Sequence, residues 1–280
     1  MLLLIVFGSL LLLVLATWYL LNKQSAAISN QAIALAAGAP AAALLSKRRG
    51  AVNNAIIITG PTQSGKTSLW YHLRFPTWRN SQGTNDRDSK HSLPETLASM
   101  AINTAETHVH EANALLIDIP GHTKFNFDRD SHLALAKGVV FVIDSSTVSQ
   151  TIRPTAEALY EVLANKHVQE KECAVLFLCN KQDEPSSLSN VRIKAMLEDE
   201  INSLRASRQA STKSLGHNND DDDDAAADEK TADYLGYDGK KFSFEDLPNP
   251  VQFNESSMVV GHDAGGLEHI ERWIADTIHS

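Results

Sequence analysis

The run GPTQSGKT, Gly60 to Thr67, constrains the fold of this chain more than any other stretch. It sits between NAIIIT, a short apolar run that reads as a buried strand, and KTSLWYHLRF, which continues as a helix. The loop matches G-x-x-x-x-G-K-[ST] in full. Its glycines let the backbone wrap around phosphate oxygens, and successive N–H groups at a helix N-terminus form an anion nest. The candidate phosphate-binding residues are therefore Gly60, Pro61, Thr62, Gln63, Ser64, Gly65, Lys66, Thr67 and Ser68. In this pattern Lys66 reaches the β- and γ-phosphates and the Thr67 hydroxyl ligates Mg²⁺.

Strand and helix patterns alternate from there on. ALLID, GVVFVID, CAVLFLCN and VQFNESS read as strands. RDSHLALAK, TAEALYEVLANKHVQ, SNVRIKAMLEDEINSLRAS and GLEHIERWIADTI read as helices, the last with Leu267, Ile270, Ile274 and Ile278 on one face. Alternation of this kind implies an α/β domain with a mainly parallel sheet flanked by helices. One interval does not fit. Residues 208–246 are polar and contain NNDDDDDAAADEK, which predicts a disordered acidic insertion before the last strand. Phe242, Phe244 and Leu247 at its end are candidates for packing back onto the domain.

Two further motifs follow the glycine loop in order. In LLIDIPGH, Asp118 ends a buried strand, where an acid can hold Mg²⁺ through water. Gly121, three residues on, can offer its N–H to a γ-phosphate because no side chain keeps the backbone away. In NKQD, Asp183 is a carboxylate able to accept guanine N1–H and the 2-amino group together, a pair that adenine lacks. Asn180 can bond the ring edge and brace the glycine loop, and the Lys181 stem can lie on the base. The set selects GTP over ATP. A fourth stretch, Glu255-Ser256-Ser257-Met258, is a weak candidate for giving a backbone N–H to guanine O6, from Ser256 or Ser257.

Residues 1–21 carry no charged side chain and are long enough to span a bilayer core of about 20 residues. Trp18 and Tyr19 fall at the end of the run, and Lys23, Lys47, Arg48 and Arg49 follow it. By the positive-inside rule this predicts a single-pass transmembrane helix with the C-terminal side cytosolic. The run is too long for a signal-peptide core and lacks a basic region before it. Residues 22–50 read as an Ala-rich juxtamembrane linker, and 51–280 as the nucleotide-binding domain. The net charge of −9 argues against nucleic acid as a partner. Cys173 and Cys179 lie too far apart along one strand to bond each other and read as core residues.

The four motifs, in order across 53–280, resemble those of a Ras-like small GTPase of the P-loop NTPase fold. The N-terminal span and DIPGH are similar to the β-subunit family of the signal recognition particle receptor, a membrane-anchored Arf/Sar-type GTPase. The resemblance implies GTP and Mg²⁺ as ligands and Asp118, Thr67 and a switch-segment threonine around the metal. Thr96 in TLASM is that threonine, with Thr84 the alternative. It implies the receptor's α subunit, through its N-terminal domain, as partner of the GTP-loaded surface. It also implies the endoplasmic reticulum membrane, and a role in bringing ribosomes to the translocon. Myristoylation, the usual Arf anchor, is closed because Leu2 stands where glycine is required.

His122 stands where efficient GTPases place a water-orienting glutamine, which predicts water positioning by His122 and slow intrinsic turnover. Arg129 reads as a solvated arginine at a helix start. The alternatives to a receptor subunit are another membrane-tethered Arf/Sar-like GTPase in trafficking, or a scaffold that holds GTP permanently.

Overall fold

The computed structural model describes residues 54–75, 99–215, 235–237, 239–259 and 266–280. The expected span over 1–21, the linker over 22–50, and Thr84 and Thr96 lie outside the described residues. No helix among the described residues is long and apolar enough to cross a membrane.

Six strands form one sheet in the order β2-β3-β1-β4-β5-β6. They are β1 (Ala55–Thr59), β2 (Asn103–Val109), β3 (Ala112–Asp118), β4 (Ala136–Asp144), β5 (Ala174–Asn180) and β6 (Val251–Glu255). Only β2 runs antiparallel, to β3; the other pairings are parallel. The helices are α1 (Lys66–Arg74), α2 (Asn126–Leu133), α3 (Val148–Leu163), α4 (Lys166–Glu170), α5 (Asn190–Leu215) and α6 (Gly266–His279).

The parallel strands are apolar because both their faces are covered. On one face Ile56, Ile58, Val140, Val142, Leu176 and Leu178 pack with Leu69 and Leu73 of α1 and with Ile270, Trp273 and Ile274 of α6. The α6 stripe is as expected, with Leu267 and Ile278 at its margin. Strand alternation sends Phe141 and Phe177 to the other face. There Phe177 stacks on Phe253 at 4.4 Å and meets Phe141 at 6.0 Å and Phe244 at 5.0 Å, between ring centroids. Cys173 and Cys179 are free and buried, and burial pushes the Cys179 thiol up to about 12.

Several elements differ from expectation. Strand β2 was not foreseen, because as an edge strand it buries only Ala105 and Val109 along NTAETHV. The helix expected over RDSHLALAK stops at Leu133, and Ala136 and Lys137 already belong to β4. The helix expected over 155–169 starts earlier, at Val148, and breaks after Leu163. There Asn165 accepts a hydrogen bond from His167 N at 3.0 Å and starts α4.

The interval 208–246 is not wholly irregular. Helix α5 continues to Leu215, and Leu235, Phe242 and Phe244 are buried. A polar row on α5 holds the returning segment. Glu198 Oε1 accepts from Phe244 N at 3.0 Å, Asn202 Oδ1 from Phe242 N at 2.8 Å, and Arg205 donates to Lys240 O at 3.0 Å. This row lies at helical spacing, which composition alone does not register.

The parallel topology carries Gly60, Asp118, Asp144, Asn180 and Ser256 to the C-terminal edge of the sheet. Strand order reverses at β1, and such a switch point opens a crevice for ligands. Phe177→Ala is expected to lower unfolding stability by about 3–5 kcal/mol, since it removes the ring on which three others converge. Urea denaturation of the variant measures it.

Candidate functional site

The loop between β1 and α1 folds around a cavity of about 500 Å³. Thr62, Gln63, Gly65, Lys66, Thr67 and Ser68 line it, and Pro120, Gly121 and His122 close one side. Asn180, Lys181, Asp183 and Glu184 close another, with Ser99, Met100, Met258 and Val259 completing the wall. The three sequence motifs therefore meet at one cavity.

The loop is held from within. Ser64 Oγ donates to Pro61 O at 3.0 Å and Lys66 Nζ donates to the same carbonyl at 2.5 Å. Gly65 has φ 95°, a region that favours glycine, and a Cβ there would collide with the Asn180 amide. A Cβ on Gly121 would collide with the backbone of Gly60, Pro61 and Thr62, so the second motif abuts the first. Lys66 is buried, and this burial, partly offset by Asp118, lowers its pKa to about 8.

Asp118 is fully buried. Its Oδ2 accepts from Thr67 Oγ1 at 2.7 Å and from Asn103 Nδ2 at 3.1 Å. Its Oδ1 has no partner among the described residues. Burial pushes its carboxyl above the usual range against the pull of Thr67, Asn103 and Lys66. The Thr67 hydroxyl has one proton, and Asp118 takes it. Ser99 Oγ, 2.6 Å away, therefore donates to Thr67. Two hydroxyls, one carboxylate and an unpartnered carboxylate oxygen suit a hard cation that fills its remaining sites with water or phosphate oxygens, as Mg²⁺ does.

The base-side loop is equally ordered. Asn180 Nδ2 donates to Ser64 O at 2.8 Å, the brace expected from sequence. Its Oδ1 accepts from Ser256 Oγ at 3.3 Å. Lys181 adopts φ 66° and pairs with Asp144 at 2.6 Å. Burial disfavours the Asp144 charge, but Lys181 and the Ser146 hydrogen bonds outweigh it and hold the carboxyl below its usual range. Asp183 Oδ1 accepts from Ser257 Oγ at 2.6 Å.

Some expected residues sit differently. Ser256 and Ser257 brace Asn180 and Asp183, while Met258 and Val259 reach the cavity wall. His122 lines the cavity, but its Nδ1 accepts from Lys124 N at 3.2 Å and caps a short 3₁₀ turn. Arg129 is not solvated: it is buried and bonds Glu161 at 2.7 Å. Ser99, Asn103 and Asp144 were missed. Asp144 ends a buried strand as Asp118 does and was legible by that signal; Ser99 and Asn103 carry no local pattern.

The family model of the signal recognition particle receptor beta subunit matches residues 51–251. The chain belongs to the signal recognition particle receptor β-subunit family. The β subunits of rat (Rattus norvegicus) and human (Homo sapiens) are 33% and 31% identical to it over 232 residues. These matches cover 81% of this chain and 78% and 77% of the relatives. The structure of the mammalian SRP receptor matches with a TM-score of 0.61 at 28% identity, over 80% of this chain and 99% of that one. The SRb-GTP/SRX complex from Chaetomium thermophilum shares the fold, with a TM-score of 0.57 at 22% identity over 80% of this chain and 97% of that one. The fold is thus the Ras/Arf-like GTPase fold, and membership of the family brings a GTPase role in the receptor.

Lys66 gives a pH prediction. Its folded pKa of about 8 lies below the 10.5 of an ordinary lysine, so between those values the unfolded chain binds more protons than the folded one. Stability contributed at this site therefore rises with pH across that window and is lowest below it. In nucleotide-free protein, denaturant midpoints of wild type relative to Lys66→Met are expected to climb between pH 8 and 10.5. A flat difference would contradict the burial of the charge.

Proposed function

We propose that this chain is the GTP-binding, membrane-anchored subunit of a signal recognition particle receptor, which docks the α subunit when loaded with GTP. Family membership supports the reading, and so does the direct bond from Asn180 to Ser64 O, which makes the phosphate loop and the base-reading loop one unit. The uncharged run over 1–21 would anchor it as a single span in the endoplasmic reticulum membrane, through the 22–50 linker, with the 51–280 domain cytosolic. Ribosome and translocon would be reached through the receptor, and no nucleic-acid contact is expected at a net charge of −9.

Mg²⁺–GTP, when bound, would supply anionic oxygens for Lys66 and a cation for Thr67 and Asp118. Lys66, turned onto Pro61 O, borders the same cavity as Thr62, Gln63, Gly65, Thr67 and Ser68, so its ammonium and the N–H groups of that loop would meet the phosphates. Thr67 and Asp118 would hold the cation side, with Ser99 or a switch-segment threonine, Thr96 or Thr84, adding a hydroxyl. The Gly121 amide serves the γ-phosphate end. Asp183 accepts the guanine N1–H and 2-amino donors, and the Lys181 stem flanks the base while Asp144 anchors its tip. The second ring nitrogen of His122 stays available to orient water, which fits slow turnover.

Two measurements test this. Full-length protein loaded with GTP is expected to retain the N-terminal domain of the receptor α subunit in a pull-down, and GDP-loaded protein to release it; equal retention would contradict the switch. Asp183→Asn is expected to shift preference from GTP to XTP, whose 2-oxo group accepts where guanine donates. Unchanged GTP preference would remove the base assignment.

A further inference from the structure

His72 lies in the last turn of α1, two turns from the phosphate loop, and is buried. Its Nε2 lies 3.2 Å from the backbone carbonyl of Met258. A carbonyl only accepts, so the ring carries its proton on Nε2 and donates. Met258 belongs to the loop after β6 that walls the cavity. One side chain thus ties the helix that carries the phosphate loop to the loop on the base side, 186 residues away in sequence.

The rest of that loop shows what the tie controls. Ser256 N donates to Cys179 O at 3.0 Å, and Val259 N donates to Ser257 Oγ at 3.2 Å. Both amides are engaged. The amides of Ser257 and Met258 lie between these two engaged ones, in the stretch whose Met258 and Val259 wall the cavity. Gly266 of α6 presses on the loop from behind: a Cβ there would sit 2.6 Å from Glu255 O and 2.8 Å from Ser256 Cβ. The N-terminal half of the loop is therefore pinned through Ser256, and His72 pins the peptide between Met258 and Val259, which leaves the Ser257 and Met258 amides held between two fixed points.

We infer that His72 is a positioning residue for base recognition: by holding the Met258 carbonyl it aims the 257–258 amides at the purine O6 edge and slows nucleotide release. The inference rests on the guanine-nucleotide reading of the cavity and adds to it a residue that touches neither base nor phosphate. Amides held between two fixed peptides need no reordering on binding, which lowers the cost of association.

The test compares GDP with 6-thio-GDP, which keeps the N1–H and 2-amino donors but replaces O6 by a weaker acceptor. Dissociation rates are measured on full-length wild type, His72→Phe and His72→Gln, with thermal melts to confirm folding. His72→Phe is expected to release GDP roughly three- to tenfold faster, the factor for one lost hydrogen bond. It should release 6-thio-GDP little faster, so that discrimination between the two collapses. His72→Gln, which retains an N–H donor, is expected to restore part of it. Equal acceleration of both nucleotides would mean a merely structural role and overturn the inference, as would unchanged rates in a folded variant. Failure of wild type to bind GDP at all would instead overturn the reading of the cavity.

Discussion

The bond from Asn180 Nδ2 to Ser64 O, 2.8 Å long and fully buried, is the constraint on which the site depends. Strands β1 and β5 are not neighbours; β4 lies between them. The Asn180 side chain crosses that gap and joins their C-terminal loops. The approach requires glycine at position 65, since any Cβ there would occupy the place of the amide. Loss of the bond would leave a buried carbonyl without a donor, at a cost of about 1–3 kcal/mol. Ser256, just after β6, and Asn180, at the end of β5, extend the same network and tie a third loop to the two halves of the cavity.

Electrostatics inside this frame favour a ligand. Burial pushes Lys66 down and Asp118 up, both toward the neutral form, and Asp118 Oδ1 has no partner among the described residues. Each group is poorly solvated where it stands. A phosphate beside the lysine and a cation beside the carboxylate would favour the charged form of each. A site arranged this way costs the ligand-free fold stability and returns it on binding by mass action.

Much of this was legible in the sequence because glycines, a strand-end acid and a strand-end Asn act through the backbone and appear at fixed spacing. Thr67, Asn180 and Asp183 line one cavity, and Asp118 bonds Thr67 behind its wall. What escaped depends on contacts between distant segments. The edge strand β2 buries two residues only and leaves almost no periodic signal. Ser99 meets Thr67, and His72 meets Met258, with nothing in their neighbours to announce it. The side chains of Ser256 and Ser257 brace Asn180 and Asp183, contacts that spacing along the loop does not announce. Arg129 looked solvated because its helix is polar, yet Glu161 of α3 draws it inward. The acidic interval concealed the helical row on α5 that receives the returning chain.

The central claim is that one rigid cavity grips a triphosphate at one end and a guanine at the other. Full-length protein purified in detergent with Mg²⁺, without added nucleotide, can be denatured and its released ligand identified by mass. The account predicts GTP or GDP in near-stoichiometric amount. Adenine nucleotide in that position would contradict it.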